Sequence, residues 1–285
     1  MILVLGATGT TGGAVVRELL AAGVPVRGLT RSEEGAEQLR ALGAEAAVGD
    51  LADPSSMMGA LRGVERMYLV SSVGEHGAEL ERNAVSTAEQ AGVYHVVKLG
   101  VIGQSAAATW RFAQRHADAT EALQSSSLRW TVLMCTSFMQ NVLGAAPTIA
   151  TGQYFSSLGD ARVAHVDARD VGAVAALALS QEGHENCSYT LSGPEALSND
   201  ELVATLTEVV GRPVEHVRVS DDEVAGALRE AGVPDWNVEG LRELWRDVYR
   251  TGQAGVVTPD VEAVLGRAPT SFRRFAEDHR AAFSG

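Results

Sequence analysis

Short apolar runs alternate with longer amphipathic stretches through the first half of the chain. The runs are rich in valine and leucine and are bounded by glycine or polar residues, which is typical of buried strands. They are Ile2–Leu5, Pro25–Thr30, Ala44–Val48, Met67–Val70, Tyr94–Leu99 and Trp130–Met134. The stretches between them have helical periodicity: Thr11–Ala22, Glu34–Leu42, Pro54–Leu61, Gly77–Ala91 and Ala107–Gln124. This alternation predicts an α/β fold, a doubly wound parallel sheet with helices on both faces and a ligand at the carboxyl ends of its strands.

The pattern changes after Met134. Residues 136–159 have the composition of loops, and two further strands are predicted at Arg162–His165 and Ser188–Leu191, with a helix at Asp170–Leu179 between them. Beyond Gly193 the pattern is mostly helical, at Asn199–Val210, Ser220–Ala231, Val238–Thr251 and Ser271–Phe283. We therefore expect a core domain over residues 1–135. Residues 136–285 then hold the sheet-completing strands, within 162–192, and a small, mostly helical C-terminal substrate lobe, within 193–285.

A glycine-rich turn joins the first strand to the first helix. Gly6, Gly9 and Gly12 permit a tight turn, a close approach of the backbone to a pyrophosphate, and close packing of the helix on the strand. The helix N-terminus attracts the anion, and hydroxyl groups of the same turn add donors, those of Thr8, Thr10 and Thr11. A turn without a ligand is the alternative, but its place between a strand and a helix favours a Rossmann dinucleotide site.

The end of the second strand bears on which dinucleotide is bound. Sites for NAD usually carry an acidic residue there, whereas this chain has Arg31, which can pair with a 2′-phosphate and stack on adenine. One such bond is worth ~1.5–3 kcal/mol, or roughly a tenfold to hundredfold preference. Glu33 and Glu34 follow at once and would repel a phosphate if they turned inward. We predict NADPH, with NADH as the alternative; a solvated surface arginine is the other interpretation of Arg31.

Two further strand ends supply candidate cofactor contacts. Asp50 follows the third strand, where it can accept from the adenine amino group while Leu51 packs beside the ring. An Asx turn before the next helix is the alternative for Asp50, and it is compatible with the first. Ser71, Ser72 and Val73 follow the fourth strand, and we expect them to line the nicotinamide half of the cofactor.

Charge and cysteine content exclude several classes of protein. The chain has 285 residues and a net charge of −13, and its basic residues do not cluster, so we expect no binding to nucleic acid. Cys135 and Cys187 lie far apart, so we expect neither a disulfide framework nor a metal site. No apolar run reaches the ~18 residues of a membrane span. We expect a cytoplasmic protein without membrane contact; the sequence leaves a homo-oligomer open.

Several motifs together resemble one family. They are Gly6-Ala7-Thr8-Gly9, Arg31, Gly49-Asp50, Val96-Val97-Lys98-Leu99, His116, Leu123-Gln124-Ser125-Ser126, Trp130-Thr131-Val132-Leu133, Phe138-Met139-Gln140-Asn141, Val166-Asp167-Ala168-Arg169-Asp170-Val171-Gly172 and Tyr189-Thr190-Leu191-Ser192-Gly193-Pro194. The combination resembles the NmrA-like atypical short-chain dehydrogenase/reductases. The resemblance spans nearly the whole chain, although Met134-Cys135 stands where an Arg-Pro pair often closes the sixth strand.

The resemblance implies a Rossmann domain with a small substrate lobe, usually binding NADP(H). Members of the family include quinone reductases, isoflavone-type reductases, tailoring enzymes of bacterial polyketide (antibiotic) pathways, and redox sensors that bind the cofactor without turnover. We therefore expect an NAD(P)H-dependent oxidoreductase that transfers a hydride to a quinone, an enone or an aromatic polyketide-type molecule. The alternative is a non-enzymatic sensor that binds NADP(H) and signals to a protein partner.

Most short-chain dehydrogenases use a Tyr-x-x-x-Lys pair on a helix, and Tyr94 and Lys98 have that spacing here. The apolar run around them predicts a strand, on which the two Cα atoms would lie roughly 13 Å apart instead of about 6 Å. We therefore do not expect this pair to act together. Lys98 is the only lysine. It can contact the nicotinamide ribose or polarise a carbonyl, and a lysine reaching solvent is the alternative.

His116 is the better candidate for a proton donor. It shares a helical stripe with Phe112, Ala119 and Leu123, so we expect it to face inward. A histidine with a pKa near neutrality can protonate a substrate oxygen after hydride addition. A core histidine bonded to backbone is the alternative. An aromatic wall for a flat substrate can come from Trp110, Phe138 and Trp236, although aromatic residues this spread out more often belong to a core.

Overall fold

The strands of the first half occur where the hydrophobic pattern predicts them. A computed structural model describes all residues, 1–285. It contains nine strands: β1 Ile2–Val4, β2 Val26–Thr30, β3 Glu45–Val48, β4 Arg66–Leu69, β5 His95–Val101, β6 Arg129–Cys135, β7 Gln153–Ser156, β8 Cys187–Leu191 and β9 Glu215–Arg218. Seven of them form one sheet in the order β3-β2-β1-β4-β5-β6-β8, and β7 pairs with β9 separately. The pairs from β3 to β5 are parallel, which confirms the predicted doubly wound architecture.

Thirteen α-helices connect and cover the strands. They are α1 Thr10–Ala21, α2 Glu33–Ala41, α3 Pro54–Ala60, α4 Gly77–Gln90, α5 Arg111–Gln124, α6 Ala146–Ala150, α7 Ala168–Ser180, α8 Asn199–Val210, α9 Asp221–Glu230, α10 Asp235–Leu244, α11 Asp260–Leu265, α12 Phe272–Asp278 and α13 Arg280–Ser284. Local chemistry sets several of their ends. Ser198 and Ser220 each form a capping box with the glutamate three residues on, and Gly211 ends α8 in the left-handed conformation.

The two faces of the large sheet are covered by different helices. Side chains alternate along a strand, so Leu3, Met67 and Val96 point to one face, where they pack with α3, α4 and α5. Helix α7 packs on α1 so closely that a Cβ atom at Gly172 would lie 2.6 Å from the Cβ of Ala14. Lys98 has the parity of Val96 along β5, and this parity directs its side chain toward α4 and α5.

The chain forms two compact units. The first comprises Met1–Ala107, Ala113–Met134 and Ala168–Thr190, and it contains nearly all of the large sheet. The second comprises Ala108–Phe112, Cys135–Asp167 and Leu191–Gly285. Its core is formed mainly by α8 and α12, with Leu202, Leu206, Phe272 and Phe275 buried.

Three predictions for the second half are wrong. Arg162–His165 is not a strand, because only Val163 forms a bridge, with Leu197, through two backbone hydrogen bonds of 2.9 and 3.0 Å. Residues 136–159 are not mainly loop, since they hold a 3₁₀ helix at Met139–Ala145 as well as α6 and β7. The helix expected to run through Thr251 instead ends in a π-helical turn at Trp245–Tyr249.

Candidate functional site

The turn between β1 and α1 has the geometry that a phosphate-binding turn requires. Gly6 is left-handed, with φ +58°, and its carbonyl accepts from the Gly9 N–H at 2.9 Å. A Cβ atom at Gly12 would lie 2.2 Å from the carbonyl oxygen of Gly6, so only glycine allows α1 to approach β1 this closely. At Gly9 a Cβ would meet only that same oxygen, at 3.2 Å. Gly12 is therefore needed for the packing of α1 on β1, whereas Gly9 allows a ligand to approach the backbone.

The first turn of α1 offers its N–H groups to an anion. Gly9 is the N-cap residue and no side chain caps the helix, so the hydrogen-bonding capacity of this end is not taken up by a serine or an aspartate. Thr8 and Thr10 are exposed beside it, whereas Thr11 is buried on the inner face of α1. These residues fit a dinucleotide pyrophosphate; the contacts of the three threonines with it stay predictions.

The end of β2 presents a free arginine. The side chain of Arg31 is exposed and makes no hydrogen bond or ion pair within the chain. Ser32 caps α2 by accepting from the Gly35 N–H at 3.1 Å. Glu33, which could have opposed a phosphate at Arg31, pairs instead with Arg40 at 2.5 Å. The side chain of Arg31 is thus available for a ligand.

The residues after β3 form an Asx turn, which the sequence predicts as the alternative for Asp50. The Asp50 carboxylate accepts from the Ala52 N–H at 2.9 Å, and the Asp50 N–H donates to the Ser56 hydroxyl at 3.0 Å. Asp50 is exposed and Leu51 is half-buried. The turn holds Asp50 in place and leaves its other carboxylate oxygen without a hydrogen bond inside the protein, so the predicted contact with adenine remains a prediction.

A buried group of charged side chains lies beneath the end of β4. Glu81 of α4 and Lys98 of β5 are fully buried and form an ion pair of 3.0 Å. The other carboxylate oxygen of Glu81 accepts from Arg115 of α5 and from the Ser71 hydroxyl, both at 2.8 Å. The sequence pointed to Lys98 and Ser71 but missed Glu81 and Arg115. A helical glutamate facing the lone lysine was the available signal.

The structure excludes the solvent-exposed alternative for Lys98 and shows the bonds that Ser71 makes. Lys98 does not reach solvent: its ammonium donates to the Leu99 carbonyl at 2.9 Å, and burial lowers its pKa against the opposing effect of Glu81. The hydroxyl of Ser71 also accepts from Arg115 at 2.5 Å inside the group, and Ser71 is half-buried, so its contact with the nicotinamide half stays a prediction. Ser72 and Val73, which follow it, are exposed.

His116 faces inward as its helical stripe predicts, but its surroundings disfavour the protonated form. Its Nδ1 lies 3.3 Å from the Lys98 ammonium, and its Nε2 lies 3.5 Å from Nη1 of Arg115. Burial first, and then these two cations, hold the pKa of His116 well below 6.5. The expected pKa near neutrality is therefore wrong, whereas a role for His116 in catalysis stays untested.

Tyr94 and Lys98 do not form a pair. Tyr94 lies just before β5 and is about half exposed, with the Arg66 guanidinium 5.7 Å from the centre of its ring. Lys98 is fully buried within the strand. The pair that typifies most short-chain dehydrogenases is therefore absent, as the strand prediction required.

Two of the three predicted substrate aromatics belong to one aromatic row in the second unit. Phe112 contacts Trp110 at 6.4 Å and Trp236 at 5.5 Å between ring centres. Arg111 lies 5.5 Å from the centre of the Trp236 ring and bonds both carboxylate oxygens of Glu243. Trp110 is buried, which leaves the half-exposed Trp236 as the accessible end of the row.

Phe138, the third predicted aromatic, is not part of that row. It follows β6, is half-buried, and forms a single parallel bridge with Val166. No group of three or more histidine, cysteine or acidic side chains is arranged to hold a metal ion. None of the helices combines the length and the apolarity that crossing a bilayer requires.

Comparison with known proteins identifies the family. The sequence model of the NmrA-like family matches residues 1–272. The chain belongs to the NmrA-like family. This confirms the resemblance drawn from the motifs.

Two relatives and a solved structure are similar over nearly the whole chain. An NAD(P)H azoreductase of Xenophilus azovorans is 35% identical over 284 residues, 99% of each chain. A (4-alkanoyl-5-oxo-2,5-dihydrofuran-3-yl)methyl phosphate reductase of Streptomyces griseus is 36% identical over 286 residues, 100% of this chain and 99% of its own. Among solved structures, the NADPH complex of the quinone oxidoreductase QOR2 of Escherichia coli superposes with a TM-score of 0.87 and 27% identity, over 98% of this chain and 99% of that one.

Proposed function

We propose that this protein is an NAD(P)H-dependent reductase that transfers a hydride to a conjugated small molecule such as a quinone or an azo compound, with NADPH as its preferred cofactor. The observation that carries the proposal is the β1–α1 turn, in which backbone atoms occupy the space that a Cβ at Gly12 would need and the helix end is left uncapped. The oxidoreductase class is supported by relatives that match nearly the full chain and are named as reductases.

The residues of the first unit fit the two halves of a dinucleotide. The α1 end would hold the pyrophosphate, and Arg31, free and exposed, would pair with the 2′-phosphate of NADPH. Asp50 would accept from the adenine amino group. A nicotinamide bound beyond the end of β4 would supply the hydride. Ser72 and Val73 would line it there.

The buried group beneath β4 would act as a support. His116 is neutral and Lys98 is sealed from solvent, so neither is placed as an acid that exchanges protons with water at neutral pH. We place both residues as groups that hold the floor of the site. Solvent would supply the proton that follows the hydride.

The acceptor class is inferred from two separate observations. The Xenophilus relative is named for azo reduction and the Escherichia coli structure for quinone reduction. In the second unit, Trp236 is a half-exposed indole held by Arg111 and Phe112, which suits stacking on a flat conjugated ring. The Streptomyces relative is named as a reductase of a phosphorylated oxo-dihydrofuran, so such a compound belongs in the panel of acceptors.

The test is steady-state oxidation of NADPH with a panel of acceptors. We expect loss of the nicotinamide absorbance with at least one member among a naphthoquinone, an azo dye, an aromatic enone and a (4-alkanoyl-5-oxo-2,5-dihydrofuran-3-yl)methyl phosphate, and no such loss without protein. Tight NADPH binding with no oxidation by any of them would contradict the proposal and favour the sensor alternative. Binding of neither dinucleotide would contradict both.

A further inference from the structure

The buried group of Glu81, Lys98 and Arg115 has a cost that packing alone does not explain. Two cations and one carboxylate are removed from water, and replacing such a group with apolar side chains is often neutral or stabilising. The group also leaves Nε of Arg115 without a hydrogen bond. Stability alone therefore does not account for these buried charges.

Glu81 is the centre of the group. One of its carboxylate oxygens accepts from both Ser71 and Arg115 at 2.8 Å, and the other faces Lys98 at 3.0 Å. Ser71 and Arg115 are also joined to each other at 2.5 Å, which closes a triangle of three hydrogen bonds. Each member of the triangle comes from a different part of the fold: the end of β4, α4 and α5.

The same contacts hold both ends of the segment 72–76. Ser71 precedes this segment and Gly77 follows it, and the Ser71 hydroxyl lies 3.4 Å from the Gly77 carbonyl. Arg115 packs against Gly77 so closely that a Cβ there would lie 2.0 Å from Nε. The absence of a side chain at Gly77, the first residue of α4, therefore leaves the space that the Arg115 guanidinium occupies.

The segment starts beside the phosphate turn. A Cβ atom at Gly6 would lie 2.8 Å from Val70, the residue between β4 and Ser71, so the end of β4 packs directly on the turn. The strand order reverses between β1 and β4, and in such sheets the dinucleotide lies across that point, with its nicotinamide half on the β4 side.

We propose that Glu81 is a positioning residue for hydride transfer, which fixes the segment 72–76 through Ser71 and Arg115 so that the nicotinamide ring is held in one place. The inference rests on the proposed function. Hydride transfer is sensitive to placement, and a displacement of about 1 Å can cost roughly a hundredfold in rate. The adenine half of a bound cofactor would lie toward β2 and β3, away from this support.

The experiment compares two variants with a matched control. Ser71→Ala removes the link to β4 and leaves the ion pairs, whereas Glu81→Gln removes the centre of the group. The control is Glu89→Gln, on the same helix, where the carboxylate holds Ser127 through its N–H at 2.7 Å and its hydroxyl at 2.8 Å. For each protein, the rate constant of a single turnover at saturating NADPH is measured beside the Kd for 2′-phospho-ADP-ribose, which lacks the nicotinamide.

We expect Ser71→Ala to slow the single turnover roughly tenfold and Glu81→Gln roughly a hundredfold, with the fragment Kd unchanged and the control variant normal. A structural role alone would lower the melting temperature and leave the rate per folded molecule intact. Ser71→Ala is expected to fold, so an unchanged turnover in that variant overturns the inference even if Glu81→Gln is insoluble. An unmodified protein that oxidises no NADPH contradicts the proposed function as well.

Discussion

Replacing Gly12 with alanine should separate the packing role of the glycine turn from its binding role. The new Cβ would lie 2.2 Å from the Gly6 oxygen and 2.9 Å from the Leu5 oxygen, both backbone atoms. A carbon needs about 3.3 Å from such an oxygen, so α1 must move by about 1 Å. Overpacking of this kind costs ~1–3 kcal/mol.

A side chain added at Gly9 meets a different environment. Its nearest neighbour would be a single oxygen at 3.2 Å, which a shift of a few tenths of an ångström relieves. Gly9→Val, with a branched side chain in the place of the pyrophosphate, should therefore abolish NADPH and NADH binding while the fold survives. Gly226→Ala is the matched control, because that glycine lies within α9 with no heavy atom within 4 Å of its Cβ position. Alanine there gains up to ~1 kcal/mol of helix propensity.

Two measurements on each variant test the argument. Thermal unfolding without cofactor should show a melting temperature lowered by several degrees for Gly12→Ala, since 1 kcal/mol shifts the midpoint by roughly 2–4 °C in a chain near this size. It should be nearly unchanged for Gly9→Val and unchanged or raised for Gly226→Ala. Fluorescence titration should show that Gly9→Val no longer binds either dinucleotide, although its melting temperature shows that the fold is intact. A Gly12→Ala protein as stable as the unmodified one would refute the packing argument, and normal titration of Gly9→Val would refute the assignment of the site.

Three other expectations follow from the geometry. Arg31→Ala should abolish a roughly tenfold to hundredfold preference for NADPH while NADH affinity stays constant; equal Kd values for both cofactors in the unmodified protein would contradict it. Trp236→Leu should raise the KM for an aromatic acceptor several-fold and leave the NADPH Kd unchanged; an unaltered KM would exclude this indole from the acceptor site. Burial lowers the pKa of His95 and His165 to about 4 and that of His116 well below 6.5. The unfolded chain, which titrates near 6.5, then binds more protons below that pH, so the free energy of unfolding should fall as pH falls from 6.5 toward 4, and equal urea midpoints at pH 7 and pH 5 would contradict this.

The parallel core was predictable because its signals are local. The strands from β1 to β6, mostly buried except β3, each lie next to a helix in the sequence, and the predicted bounds differ from the observed ones by two residues or fewer. The glycine turn was equally predictable, because glycine at positions 6 and 12 itself indicates that a side chain would not be tolerated there. β7 and β9 were missed because their residues, such as Glu215 and Arg218, do not alternate or cluster as buried strands do.

The buried charges could not be derived in the same way. Glu81 and Lys98 are 17 positions apart and Arg115 is 17 further, and nothing in their spacing shows that three elements converge on them. Their contact depends on the register of β4 with β5, which places Leu69 opposite Lys98, and on the rotation of two helices above the sheet. The pKa of His116 was misjudged for the same reason, because a pKa depends on neighbours that only the fold supplies.

The burial of Lys98 gives the protein an unusual chemical property. No other lysine exists in the chain, and this one has no exposed surface. An amine-acylating reagent therefore finds no lysine on the folded surface, and a single label or tether can be directed to the chain's α-amino group. Acylation of Lys98 itself requires the sheet and its covering helices to separate. Its rate under native conditions would thus report how often the first unit opens, with one reactive atom and no engineered probe.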